Sequence, residues 1–215
     1  MGTNTLKGRL SGKFIVLDGP DGCGKTTQVR LLTDWLQDHD VPTVSFRDPG
    51  DTEVGERIRQ ILLNPEHKAM DTRTELLLYM AARAQLWAEK IEPAMKEHIC
   101  VVLDRWLSST CAYQGFAGGF GINNVIKIAD RCLERVWPDL TIILDVDTET
   151  AAKRLNRPLD RMERKGSDYH NKVRQGFLKL SNRREDFPVV SAADGIETVH
   201  RNVSERLAKF FTTKH

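Results

Sequence analysis

With 215 residues, 40% of them hydrophobic, and a formal net charge of +2, the chain can bury a substantial core in one α/β domain without disulfides. So balanced a charge offers no global field for nucleic acid or an anionic membrane, and any basic site must be local. Cys23, Cys100, Cys111 and Cys132 form no CxxC pair and no zinc-ligand spacing, which predicts reduced thiols in a cytoplasmic protein.

The first residues carry Lys7, Arg9 and Lys13 without the apolar core of a signal peptide, and read as a flexible leader over about 1–12. Gly2 prompts a myristoylation check, but Leu6 stands where that pattern wants Ser or Thr. No stretch is apolar enough to predict a membrane span. Phe14 to Leu17 is the first strand-like run. It leads into Gly19-Pro20-Asp21-Gly22-Cys23-Gly24-Lys25-Thr26, which fits GxxxxGK[ST]. A helix is predicted from near Gly24, with Leu31, Leu32, Trp35 and Leu36 at helical spacing. Val41 to Phe46 is the second strand. Thr72 and Glu75 form a capping-box pattern ahead of Leu76, Leu77, Tyr79 and Met80, so a long helix should start near residue 72. Pro93 is expected to break or kink it near Glu92.

Ile99 to Leu103 is the third strand, and the glycine-rich stretch from Gly115 to Gly121 reads as a mobile loop. Leu140 to Val146 and Val189 to Ser191 complete the set of β-branched apolar runs. Strands alternating with helical segments predict a doubly wound, five-stranded parallel sheet with helices on both faces. A small helical lid is expected at about 154–168, within a single domain spanning 1–215.

Ligands of such a sheet gather at the carboxyl ends of its strands. The glycines let backbone N–H groups turn onto a polyphosphate, Lys25 can reach its β- and γ-phosphates, and Thr26 can place its hydroxyl on Mg²⁺. Cys23 inside the loop is either a reactive thiol or a small filler. Asp104-Arg105, after the third strand, offers a carboxylate for Mg²⁺ and a guanidinium for a second phosphate, or else an ion pair capping the strand end. Arg47 ends the second strand. Arg154, Arg157, Arg161, Arg164 and Lys165, with Asp160 and Glu163 among them, form either a solvated face or a lid whose arginines meet transferring phosphoryl oxygens.

Asp104-Arg105-Trp106-Leu107-Ser108-Ser109-Thr110-Cys111-Ala112-Tyr113-Gln114-Gly115 resembles the thymidylate kinase family's DR motif followed by a Ser-containing stretch ending in AYQG. The similarity extends to Leu17 through Gln28, Arg47-Asp48-Pro49-Gly50, Glu75 through Arg83, Pro138-Asp139-Leu140-Thr141 and Leu159-Asp160-Arg161-Met162-Glu163, in the family's order along nearly the whole chain. The resemblance implies phosphorylation of dTMP to dTDP by Mg-ATP, in the bacterial-like form that draws its arginines from the lid. It places ATP on Gly19, Asp21, Gly22, Cys23, Gly24, Lys25, Thr26 and Thr27, and Mg²⁺ on Thr26 and Asp104. Lys25, Asp104, Arg157 and Arg161 become the catalytic set.

For dTMP the resemblance implies Asp21 at the 3′-hydroxyl, Arg47 and Arg105 at the phosphate, and Arg83 at the base edge. Tyr79 falls where the family stacks a ring on thymine, although core packing is the other reading of a helix aromatic. Thr110 and Gln114 are candidates for polar contacts to the base, and Tyr113 matches a ring under the deoxyribose. Ala192-Ala193-Asp194-Gly195 resembles a segment beside adenine. A homodimer is also implied. Asp48, Asp51, Trp106 and Pro20 depart from the family's usual residues. Two other readings stand beside this one: a kinase of the same fold for another nucleotide or nucleoside, and an inactive nucleotide-binding regulator.

Overall fold

Five parallel strands in the order β2-β3-β1-β4-β5 organise the molecule. They are β1 (Phe14–Asp18), β2 (Thr43–Arg47), β3 (Cys100–Asp104), β4 (Leu140–Asp145) and β5 (Val189–Ser191). The computed structural model describes residues 3–213; Gly2, to which the myristoylation reading applied, lies outside the described residues. Every predicted strand is present, β5 with the expected bounds and the others shifted by a residue or two at one or both ends.

Because successive strand residues point to opposite faces, β1 feeds two cores at once. Phe14 and Val16 join Val101, Leu103 and Ile143 on one face; Ile15 and Leu17 join Val102, Ile142 and Leu144 on the other. The second face is covered by α1 (Thr3–Leu10), α2 (Lys25–Asp38) and α10 (Ile196–Thr213), through Leu10, Leu32, Leu36, Val203 and Leu207. The first is covered by α4 (Thr72–Leu86), α7 (Ile122–Cys132) and α9 (Ser167–Ser181), through Leu76, Met80, Val125, Val173 and Phe177. Helix α3 (Glu53–Leu63) packs on α4, with Ile58 and Leu62 against Ala82. Among the described residues no helix is long and apolar enough to cross a membrane.

Several local expectations are corrected. Residues 3–10 of the expected leader form α1, because Leu6 and Leu10 are one helical turn apart and both are buried. Helix α4 does begin at Thr72, but its cap is Asp71, whose carboxylate accepts the Arg73 N–H at 2.9 Å; Glu75 is buried and engaged elsewhere. The helix is interrupted just ahead of Glu92, as expected, but the interruption is a π-helical turn that precedes Pro93. This turn, Trp87–Ile91, leads into α5 (Glu92–Lys96) and places Pro93 in the first turn of the new segment, where its missing N–H costs little.

The glycine-rich stretch is a loop only in its second part, the turn from Gly118 to Gly121. A short helix α6 (Leu107–Thr110) continues into a second π-helical turn, Cys111–Ala117, and a Cβ on Gly115 would lie 3.2 Å from the Ile122 Cα. Residues 155–166 connect α8 (Thr148–Arg154) to α9 as an irregular segment with a turn, occupying the position of the expected lid.

If α1 belongs to the fold, Leu10→Ala should destabilise the protein by about 2–5 kcal/mol, the usual cost of emptying a fully buried leucine site. Urea unfolding followed by circular dichroism reads this directly, and an unchanged midpoint would return the segment to a detachable leader.

Candidate active site

Strand register brings the chemistry together. Leu17 and Arg47 both pair with Asp104 across the sheet. The Arg105 N–H donates to the Leu17 carbonyl at 3.1 Å and the Asp48 N–H to the Asp104 carbonyl at 3.0 Å, so the turns after β1, β2 and β3 lie side by side. A cavity of about 820 Å³ opens there, lined by the loop after β1, by Arg47 and Asp48, by Asp104 and Arg105, and by residues of α4 and of the 155–163 segment.

The loop from Gly19 to Gly24 is closely packed from behind. A Cβ on Gly19 would lie 2.3 Å from the Leu144 carbonyl, and one on Gly22 2.3 Å from that of Ala151. Only glycine fits, and φ is positive at both. Gly24 caps α2 in a left-handed conformation, which turns the first free N–H groups of that helix toward the cavity mouth. The Lys25 ammonium, 6% exposed, donates to the carbonyls of Gly19 (3.1 Å) and Pro20 (2.7 Å). It is therefore held within the loop, not free of contacts. Thr26 donates its hydroxyl to the Asp104 carboxylate at 2.6 Å, which brings the two expected metal ligands into contact. Thr27 follows in the first turn of α2. Burial raises the Cys23 thiol above its ordinary range, against the pull of Lys25 and Arg105, which fits a filler better than a reactive thiol.

Asp21, Arg105 and Tyr113 form one network. Tyr113 donates its hydroxyl to Asp21 at 2.6 Å, and Arg105 pairs with the same carboxylate while also donating to the Gly19 carbonyl and the Ser109 hydroxyl. Burial works to raise the Asp21 carboxyl, but Arg105, Lys25 and the Tyr113 hydrogen bond outweigh it and hold the group below its usual range. Arg105 itself has φ of 72°, a strained value for a side chain of its size, of the kind that clusters at functional sites. Fully buried Asp18 accepts from the Ser108 and Ser109 hydroxyls at 2.5 and 2.7 Å and so fixes the turn that carries Arg105.

Arg47 lines the cavity with its guanidinium on Glu56 (2.8 Å), while Asp51, a departure from the family pattern, accepts the Arg47 N–H at 2.6 Å. Arg59 joins it, and sequence reasoning missed this residue: it sits inside amphipathic α3, next to Ile58, where an arginine reads as solvent-facing. Arg59 donates to the Pro49 carbonyl at 2.9 Å, and burial, together with the neighbouring charges of Arg47 and Arg105, depresses its guanidinium, while Arg47 is paired with Glu56 and Arg105 with Asp21. At the far wall Arg83 donates to Asp48 through Nε (2.8 Å) and Nη2 (2.5 Å) and to the Thr110 hydroxyl at 3.2 Å. Burial raises the Asp48 carboxyl despite Arg83. Tyr79 is half-buried, lining the cavity while packing beside Ile58 and Leu62, so both readings of it hold in part. Gln114, 1% exposed, completes this wall. Trp106 is core: it is fully buried, edge-on to Phe14 and donates Nε1–H to the Val136 carbonyl.

The two lid arginines separate. Arg157 lines the cavity with its side chain 56% exposed and makes a two-point pair with Glu163 at 2.9 and 2.6 Å. Arg161 does not line it. It turns the opposite way, donating Nε–H to the Leu62 carbonyl at 2.7 Å and ion-pairing with buried Glu75 at 2.5 Å, without the alignment of a hydrogen bond. Arg154, in the basic cluster but not among the expected site residues, does reach the cavity; it donates to the carbonyls of Ala192 (2.8 Å) and Ala193 (3.2 Å) and stands beside the Asp194-Gly195 turn.

A parallel sheet whose first strand ends in a phosphate-binding loop, with a second anion-seeking cluster in the same cavity, defines a P-loop kinase of small phosphorylated acceptors. The thymidylate kinase family profile matches residues 17–203. The chain is 42% identical over 173 residues to thymidylate kinase of Clostridium novyi, covering 79% of this chain and 84% of that one. It is 39% identical over 203 residues to that of Thermoanaerobacter sp. strain X514, covering 94% and 100%. The crystal structure of thymidylate kinase from Ehrlichia chaffeensis superposes with a TM-score of 0.75 at 30% identity, covering 92% of this chain and 99% of the other. The chain belongs to the thymidylate kinase family.

Two outcomes follow from the geometry. Arg161→Ala strips a buried carboxylate of its closest cation and should cost about 3–5 kcal/mol. Arg157→Ala should cost less, since its guanidinium is 56% exposed and leaves room for water on buried Glu163, which also keeps the Asp160 N–H. Equal losses in denaturant titrations would contradict the separation of the two.

The second outcome concerns pH. A carboxylate held below its ordinary value of 3.8 contributes stability above that pH and loses it as pH falls through the folded value. Wild type should therefore exceed Asp21→Asn in stability at neutral pH, and the gap should close in acid, where both side chains are neutral. A gap that stays constant with pH would deny Asp21 its favourable charge.

Proposed function

We propose that this cavity phosphorylates dTMP with ATP, the reaction of the family to which the chain belongs, with the donor at the loop after β1 and the acceptor on the wall of α3 and α4. The observation that carries this division is one continuous cavity holding a phosphate-binding loop and, separately, the guanidinium groups of Arg47, Arg59 and Arg105. Backbone N–H groups of Gly22 to Thr27 and the Lys25 ammonium receive the donor polyphosphate. Arg154 and the turn from Ala192 to Gly195 border the adenine. Arg47, Arg59 and Arg105 receive the acceptor phosphate, whose charge the three guanidinium groups balance.

On the acceptor side, Asp21 accepts from the sugar 3′-hydroxyl. Tyr113 is bound to the same carboxylate, which sets its ring beneath the deoxyribose. Tyr79, Arg83, Thr110 and Gln114 surround the base. An acceptor phosphate oxygen forms its bond to the γ-phosphorus as the bond from that phosphorus to the β-phosphate oxygen breaks, and ADP leaves with the electron pair. Arg157, its side chain 56% exposed, exchanges Glu163 for the equatorial oxygens. Arg161 is given up as a catalytic residue.

The Thr26 hydroxyl and Asp104 carboxylate are hard oxygen donors in contact at the cavity wall, and they suit Mg²⁺, which takes one or two protein ligands and fills the rest with water and phosphate oxygens. Bound there, the ion would neutralise charge on the donor phosphates. Four free cysteines support a cytoplasmic setting, and a balanced net charge gives no support for a nucleic-acid partner. A homodimer finds apolar surface in Val54 and Ile61 of α3 and Leu77 of α4, which are 49%, 43% and 56% exposed.

A coupled assay of ADP formation across a panel of monophosphates tests the reading. Consumption of ATP should depend on dTMP, and it should fall at least about 10²-fold in Lys25→Ala and about 10³-fold in Arg157→Ala. Arg157→Ala should still bind dTMP. A better substrate than dTMP in the panel would replace the acceptor; full activity in Lys25→Ala would remove the donor site.

A further inference from the structure

Glu75 is charged, 2% exposed and outside the cavity, yet it touches residues on both sides of it. Its Oε1 accepts the Gln114 Nε2–H at 2.6 Å. Its Oε2 faces the Arg161 guanidinium at 2.5 Å and the Lys165 ammonium at 3.6 Å. Arg161 is fastened in turn to the end of α3 through the Leu62 and Leu63 carbonyls. The carboxylate is thus locked in place by cations that cannot accept hydrogen bonds, and it offers Gln114 only acceptor atoms.

That asymmetry has a chemical consequence for Gln114. An amide can present either its oxygen or its NH₂ to a ligand, and a half-turn exchanges them at no cost when the surroundings are indifferent. Beside a carboxylate they are not indifferent. The NH₂ must face Glu75, because the opposite orientation would set the amide oxygen against a negative oxygen. Oε1 then points away from Glu75, receives no donor among the described residues, and belongs to a side chain lining the cavity with Tyr79, Arg83 and Thr110.

We propose that Glu75 is a positioning residue that fixes the Gln114 amide with its oxygen toward the acceptor base, and thereby selects a pyrimidine carrying an N–H at N3 over one carrying a lone pair there. Thymine and uracil donate from N3 to this oxygen. Cytosine meets it with an acceptor, so two lone pairs oppose each other and a buried polar atom stays unpaired. Arg161, which the sequence places among the catalytic arginines, acts here by holding Glu75. The inference rests on the acceptor wall assigned above.

Glu75→Gln tests it, because an amide at this position accepts or donates equally well and releases the Gln114 orientation. With dTMP and dCMP as acceptors, the ratio of kcat/KM values should fall about tenfold, mainly through KM. The dTMP to dUMP ratio should not move, since both bases carry the same N3–H, and a general loosening of the pocket would not spare it. In a Gln114→Leu background, Glu75→Gln should leave the dTMP to dCMP ratio unchanged, because the residue through which it acts is gone. Should Glu75→Gln fold poorly, Glu75→Gln with Arg161→Gln removes the stranded charge and allows the same comparison.

A dTMP to dCMP ratio that survives in Glu75→Gln, with only the melting temperature lowered, overturns the proposal and leaves Glu75 a structural tie. An effect that persists in the Gln114→Leu background overturns it too. Wild-type protein that fails to phosphorylate dTMP would instead refute the functional reading, a result distinct from either.

Discussion

The register of β1, β2 and β3 is what the site depends on. Pairing Leu17 and Arg47 with Asp104 sets the ends of the three strands level, so the turns that follow must start from the same plane. A slip of one residue would turn every core side chain of a strand to the wrong face, and both faces of β1 are packed. The energy that excludes the slip is hydrophobic, but its product is electrostatic: Asp18, Arg47, Asp48, Asp104 and Arg105 are gathered into one end of the sheet.

Gathered charges must then be neutralised, and the partners chosen explain the shape of the cavity. Asp48 takes Arg83, Asp21 takes Arg105 and Tyr113, and Glu75 takes Arg161. Each buried pair avoids the large penalty of a lone ion in a poorly polarisable interior. Against this background Arg59 stands out, since among the described residues it has no ion pair: it donates to the Pro49 carbonyl, while nearby Glu56 is taken by Arg47. The clustering of arginines at this end of the cavity is therefore local, in a chain whose overall charge is close to neutral.

The sequence announces those parts whose chemistry is contiguous in the chain. The phosphate loop works through successive backbone groups, so its pattern is read from Gly19 to Thr26 alone, and the strands declare themselves as apolar β-branched runs. Arg59 has no such signature, because it reaches the cavity only through the packing of α3 on α4, with its guanidinium on the Pro49 carbonyl. Arg161 shows the opposite failure: it lies in a recognisable block, but block membership does not say which way a side chain turns, and burial against Leu62 and Glu75 decides that. Glu75 matched a capping pattern that Asp71 fulfils, a case where a local rule was outbid by a tertiary ion pair. Pro93 and Gly115 likewise obey backbone preferences, but within π-helical turns that no periodicity foretells.

The 155–166 connection joins these themes. Residues 161–163 are buried and tied down, Arg161 to α3 and α4, while residues 156–159 are exposed. Tyr169, at the start of α9, donates its hydroxyl to the Tyr113 carbonyl at 2.9 Å and braces the same end. Local opening is easiest where few apolar contacts must be broken, which confines it to the half that carries Arg157. The anchored half keeps Glu75, and through it Gln114, in place during any such opening. Tying α3 to α4 and presenting a cation to the cavity are opposing demands on one short segment, and the chain meets them by burying one arginine and leaving the other, four residues earlier, 56% exposed.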